Sequence, residues 1–221
     1  MLQAALIDVD GTLFDTERLF LQAWLHAGSA KGYPITEAHL LQFHGRGHTE
    51  NCRSFQEWFG DDADYWGSRK IFEEYVERTI AEAGVPLKPG LHEFLDFLQK
   101  NGITIILATG TERSEAEPRW KAAEIDRYIQ GSICGDEIEN SKPNPEIFLR
   151  AAALAGAAPS ECIVFEDSVN GLRAARSAGC YTVMVPDLDP VTDELRQTIA
   201  DEVCHSLFDG IEMLRLRFGM Q

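Results

Sequence analysis

The chain of 221 residues carries 20 Lys+Arg against 36 Asp+Glu, a formal net charge of −16, with 44% hydrophobic and 25% charged residues. That is a globular composition, long enough for one large domain or a core plus an insert, and it excludes a disordered or fibrous chain. The acidic excess argues against nucleic acid and anionic membrane as partners, because both are bound through Lys and Arg.

Ala4 to Val9 is a short apolar run that ends among Asp8, Asp10 and Gly11, the pattern of a buried strand with function at its carboxyl end. From Thr16 to about Ala83 the period is helical: Leu19, Ala23 and Ala27 share one face, and Phe72, Val76 and Ile80 another. Thr36 reads as an N-cap within this stretch, and Gly45-Arg46-Gly47-His48 as a turn. Gly84-Val85-Pro86-Leu87-Lys88-Pro89-Gly90 is a hinge by composition.

Beyond the hinge, helices and strands alternate. Helices are predicted at 91–100, 112–123, 145–155 and 169–178, and strands at 103–108, near Ile133, at 162–165 and at 181–185. The tail, 192–217, reads as helix, weak strand, helix. This alternation predicts an α/β fold with a Rossmann-like parallel sheet and helices on both faces. The helical stretch interrupts that pattern after its first strand. The expected division is a core domain of 1–15 and 84–221 with a small inserted α-helical cap of 16–83.

No run approaches the roughly 20 apolar residues of a membrane span, and the first apolar run reaches Asp8 too soon for a signal peptide. The five cysteines are odd in number and form no C-x-x-C pair. They read as reduced core residues, which points to a cytoplasmic protein.

Ligands of open parallel sheets bind outside the carboxyl ends of the strands, and the residues suited to chemistry fall there. Asp8 and Asp10 stand two residues apart after the first strand, on one side of an extended chain. Held close, two carboxylates need a proton or a cation between them, and oxygen donors at this density favour Mg²⁺. By itself such a pair also fits a solvated turn. Thr109-Gly110-Thr111 follows the second strand and offers a hydroxyl and backbone amides to a phosphoryl group, or else an ordinary N-cap at Thr111. Lys142, in Ser141-Lys142-Pro143-Asn144-Pro145, is an ammonium pinned between turn formers. Glu166-Asp167-Ser168 ends a later strand, where acids serve as a helix cap or as metal ligands.

In this order the residues resemble the haloacid dehalogenase-like superfamily. The resemblance is carried by Asp8-Val9-Asp10-Gly11-Thr12-Leu13-Phe14-Asp15, Thr109, Lys142-Pro143 and Phe165-Glu166-Asp167-Ser168, and it is nearest to the β-phosphoglucomutase and phosphoglycolate-phosphatase branch. It implies a Mg²⁺-dependent phosphatase acting on a small phosphorylated metabolite such as a sugar phosphate. Asp8 would be the nucleophile that becomes an aspartyl phosphate, and Asp10 the general acid and base. Mg²⁺ would be held by Asp8, the backbone carbonyl of Asp10 and Asp167, with Glu166 close or acting through water. Thr109, Gly110 and Lys142 would hold the phosphoryl group. The sugar-phosphate mutases of the branch carry a cap histidine where this chain has Phe20, which weakens the alternative of a mutase. A phospho-accepting receiver module is disfavoured by length and by the second Asp at Asp10.

Within the expected cap, Arg18, His44, Arg46, His48 and Arg53 are candidates for specificity contacts, a His and Arg cluster suited to hold a second anionic group on the substrate, Arg46 and His48 foremost. Trp24, Trp58, Trp66 and Phe72 read as cap core, and Glu112, Glu115 and Glu117 as a solvated helix face. The expected assembly is a monomer or weak dimer.

Overall fold

The computed structural model describes residues 2–43 and 46–221. Its centre is β1 (Ala4–Ile7), every residue of which is buried. On one edge β1 pairs with β2 (Thr104–Ala108), and on the other with β4 (Cys162–Glu166), both parallel. The sheet extends outward through β3 (Gly131–Ile133), β5 (Tyr181–Met184) and β6 (Glu202–Val203), in the order β3-β2-β1-β4-β5-β6. All its neighbouring pairs are parallel.

Alternation along the strands assigns the side chains to two apolar layers. Ala5, Ile7, Ile105, Leu107, Ile163 and Phe165 face one way. There they meet α5 (Leu91–Lys100), α6 (Arg113–Ala122) and α10 (Leu207–Phe218). Phe94 packs edge-on to Phe165 with ring centroids 4.8 Å apart. Ala4, Leu6, Ile106, Ala108 and Val164 face the other way, onto α7 (Glu146–Ala155) and α8 (Val169–Ala178). The strands are therefore apolar on both faces, as a covered parallel sheet requires. A short α9 (Asp193–Thr198) precedes β6.

Four helices follow β1: α1 (Glu17–Lys31), α2 (Glu37–Leu40), α3 (His48–Phe59) and α4 (Tyr65–Ala83). They enclose a cluster of their own, with Trp24, Phe55, Tyr65, Phe72 and Val76 at its centre. Thr36 caps α2 by accepting from the His39 amide. His48 opens α3 and so is not part of a turn; the expected turn residue Gly45 lies outside the described residues.

Two chain crossings join this insert to the sheet, and they are hydrogen-bonded to each other. The Asp15 amide donates to the Pro86 carbonyl, and the Lys88 amide to the Leu13 carbonyl, both at 2.9 Å. Beside them Arg18 bridges Asp15 and Asp187 at 2.9 and 3.0 Å.

Candidate active site

The carboxyl ends of β1, β2 and β4 meet a cleft of about 1010 Å³, closed on its far side by the helical insert. Asp8 continues the ladder beyond β1, its amide donating to the Phe165 carbonyl at 3.0 Å. The chain then turns sharply at Gly11, whose φ is +81°. A Cβ at Gly11 would run into the Asp167 carboxylate, so glycine here lets the β1 and β4 loops close on one another.

Asp8, Glu166 and Asp167 each bring one carboxylate oxygen within 4.8 Å of the others, and all three are buried. The Lys142 ammonium enters the same cluster, 2.5 Å from Asp8 Oδ1, 2.7 Å from Glu166 Oε1 and 3.2 Å from the Ala108 carbonyl. Burial pushes the Asp8 carboxyl well above the usual carboxylate range; Lys142 opposes this, while Glu166 and Asp167 add to it. Burial alone would depress Lys142, but Asp8 and Glu166 outweigh it and raise its proton affinity. Three carboxylates gather here around one ammonium, and hard oxygen donors in that excess fit a divalent cation.

Glu166 Oε2 accepts from the Ser168 amide and hydroxyl at 2.7 and 2.9 Å. Ser168 is itself the N-cap of α8, accepting from the Gly171 amide at 3.0 Å. The helix therefore takes its cap from the serine and leaves both acids to the cluster.

Asp10 stands apart from that cluster. Its Oδ1 accepts from the Thr16 hydroxyl at 2.7 Å, its Oδ2 from the Thr111 hydroxyl at 2.8 Å, and Arg119 Nη1 lies 3.9 Å from Oδ1. No local pattern marks these partners, which arrive from separate parts of the chain. Thr111 does not cap a helix: Glu112 occupies the N-cap position of α6, and the Thr111 side chain is engaged by Asp10. Thr109 is buried, its amide donates to the Ile133 carbonyl, and its hydroxyl oxygen accepts from the Thr111 amide at 3.1 Å. Two of the amides expected to face a phosphate are thereby engaged within the protein. Gly110 is exposed and lines the cleft.

Among the cap candidates, Arg46 and His48 line the cleft. His48 Nδ1 lies 3.1 Å from the Tyr65 hydroxyl. Arg18 and Arg53 do not line the cleft, and His44 lies outside the described residues. Two expectations need correction. Trp66 is 59% exposed and lines the cleft, because the insert's apolar interior is filled by Trp24, Tyr65 and Phe72. Glu115 is no solvated acid: its oxygens accept from Arg69 Nη2 at 2.6 and 2.7 Å and from Arg119 Nη2 at 3.2 Å. Its main partner comes from α4, across the cleft, where helical spacing on α6 could not reveal it. Phe20, in the expected histidine position, lies 5.5 Å from the Phe72 ring and beneath the Arg119 guanidinium at 5.4 Å.

Among the described residues no helix is long and apolar enough to cross a membrane. Residues 2–179 match the family model of the haloacid dehalogenase-like hydrolases. A phosphorylated carbohydrates phosphatase of Thermotoga maritima is 32% identical over 178 residues, covering 80% of this chain and 82% of that protein. Hexitol phosphatase A of Escherichia coli is 30% identical, with coverage of 91% and 90%. The crystal structure of CbbY from Rhodobacter sphaeroides, in complex with phosphate, superposes with a TM-score of 0.77 at 26% identity, over 94% of this chain and 95% of that one. A family match over residues 2–179, relatives alike over about four fifths or more of both chains and acidic residues gathered where strands end make this enzyme a member of the haloacid dehalogenase-like hydrolase family.

Proposed function

We propose that the protein is a Mg²⁺-dependent phosphatase that hydrolyses the monoesters of small sugar-like metabolites through a phosphorylated aspartate. The observation that carries this reading is the separation of two carboxylates. Asp8 lies in a buried, charge-rich cluster, whereas Asp10, two residues on, is held by hydroxyls. Such paired carboxylates in different surroundings suit one to attack and the other to proton transfer.

Asp8 attacks phosphorus as the bond to the ester oxygen breaks, and Asp10 gives its proton to the departing alkoxide. Asp10 then removes a proton from water, which attacks the acyl phosphate and frees Asp8. Mg²⁺, held by Asp8, Asp167 and the Asp10 carbonyl with Glu166 at hand, would supply positive charge to the transferring phosphoryl group. Lys142 lends a second positive charge from its place beside Asp8, and the Thr109 hydroxyl and Gly110 backbone border the same space. The 16–83 helices act as the cap that excludes water, with Arg46 and His48 toward the remainder of the substrate. Phe20 has no proton to transfer, which favours hydrolysis over mutase chemistry.

Of the five cysteines four are buried, and burial pushes the Cys162 thiol up to about 11 and that of Cys134 to about 12, as befits a reduced cytoplasmic enzyme. The decisive experiment is phosphate release from a panel of phosphorylated metabolites with and without Mg²⁺. Asp8→Asn is expected to abolish release, because an amide cannot form the acyl phosphate. Turnover retained in that variant would refute the assignment.

A further inference from the structure

Arg69 reaches the cleft from α4 and Arg119 from α6, and Glu115 stands between them, all three largely buried with side chains 10%, 8% and 16% exposed. Glu115 takes Arg69 on both oxygens and Arg119 on one. Arg69 gives its Nε to Glu73 at 2.8 Å as well. The guanidinium planes rest on rings, Arg69 at 4.4 Å from the Phe72 centroid and Arg119 at 5.4 Å from that of Phe20. Both cations are thus engaged before any substrate arrives.

We propose that Glu115 sets the charge of the substrate: by neutralising Arg69 and Arg119 it makes the cleft select phosphomonoesters whose body is uncharged and hydroxylated, and reject those bearing a second anionic group. The proposal rests on the phosphatase reading above and deepens it to a substrate class. Apart from Asp10 and the acidic cluster with Lys142, the described wall of the cleft holds Arg46, Arg69 and Arg119 against six carboxylates, Glu115 among them. A second phosphate or carboxylate would enter a net negative field. To be gripped by Arg69 or Arg119 it would have to displace Glu115 and leave a largely buried carboxylate unpaired.

Asn51, 7% exposed, also lines the cleft, and its uncharged amide can both donate to and accept from a hydroxylated body. Its neighbours on the wall suit an uncharged body too. Burial first and Arg69 second hold His48 below its usual range, so it presents a neutral ring, and the exposed Trp66 offers an apolar face.

The test compares a hexitol phosphate with the aldonate phosphate of the same carbon skeleton, which carries a carboxylate in place of the terminal alcohol. For the wild type, kcat/KM is expected to favour the hexitol ester by about tenfold or more, and less so at high ionic strength. Parity, or preference for the aldonate ester, would overturn the proposal. Glu115→Gln is expected to shrink the ratio several-fold, and Arg69→Gln, which leaves Glu115 less compensated, to widen it; a ratio unmoved by either folded variant would overturn the role of Glu115. Absence of Mg²⁺-dependent release from every ester would sink the phosphatase reading itself, whereas turnover with an inverted ratio sinks this inference alone.

Discussion

The Lys142 ammonium lies 2.7 Å from Glu166 Oε1, and the other oxygen of that carboxylate already serves the Ser168 amide and hydroxyl. With both oxygens answering protein donors, Glu166 anchors the lysine more than it can serve an ion. Asp167→Asn is therefore expected to raise the Mg²⁺ concentration for half-maximal activity by about tenfold to a hundredfold. Glu166→Gln should raise it less while lowering kcat. Titration of activity against Mg²⁺ for the two variants checks this; equal shifts would contradict it.

Thr111 gives its hydroxyl to Asp10 Oδ2 at 2.8 Å. The bond orients the carboxyl that moves the proton, and positioned proton transfer contributes roughly a hundredfold or more, so Thr111→Val should lower kcat by about tenfold or more. KM should stay close to wild type, since the hydroxyl serves Asp10. Steady-state kinetics would show otherwise by a rise in KM with kcat intact.

Gly11 combines a φ of +81° with the close approach of Asp167. Gly11→Ala should destabilise the fold by about 1–3 kcal/mol and reduce the rise in melting temperature that Mg²⁺ produces. Thermal unfolding with and without the ion measures both effects. A full Mg²⁺ response in the variant would mean that Gly11 does not shape the acidic cluster.

Burial and the Arg69 charge lower the proton affinity of His48 in the fold. The unfolded chain then binds the extra proton first. The stability this contributes is present above the ordinary histidine pKa of about 6.5 and is lost as pH falls through the lower folded value. His48→Gln should flatten part of the decline in melting temperature on acidification below neutrality. An unchanged slope in the variant would count against a half-buried, neutral His48.

The middle of the sheet was legible because β1, β2 and β4 are apolar on both faces and end at acids or a hydroxyl, whereas β3 and β6, short and half-buried, gave only weak signals; Ile105, Ile163 and Phe165 announce themselves by type and run length. The residues at strand ends could be read for the same reason, since Asp8, Thr109 and Asp167 each follow an obvious strand. What escaped was contact between distant elements. The grip of Thr16 and Thr111 on Asp10, and of Arg69 on Glu115, depends on how the insert sits over the sheet, and no local period encodes that. Trp66 departs from its expected burial because hydrophobicity predicts burial only on average, and a cleft needs apolar walls of its own.

Ala4 pairs with Thr104 on one side and with Cys162 on the other. The strand bearing Asp8 thus leaves the ribosome before either of its neighbours and waits for β4, a long-range closure that slows folding. Until Glu166 has been translated, that apolar segment is an unpaired edge in need of shelter. The helices of 16–83, whose contacts lie largely among themselves, can settle meanwhile. A nascent chain cut short before β4 would accordingly carry the helices of 16–83 while the cleft they border still lacked Glu166 and Asp167.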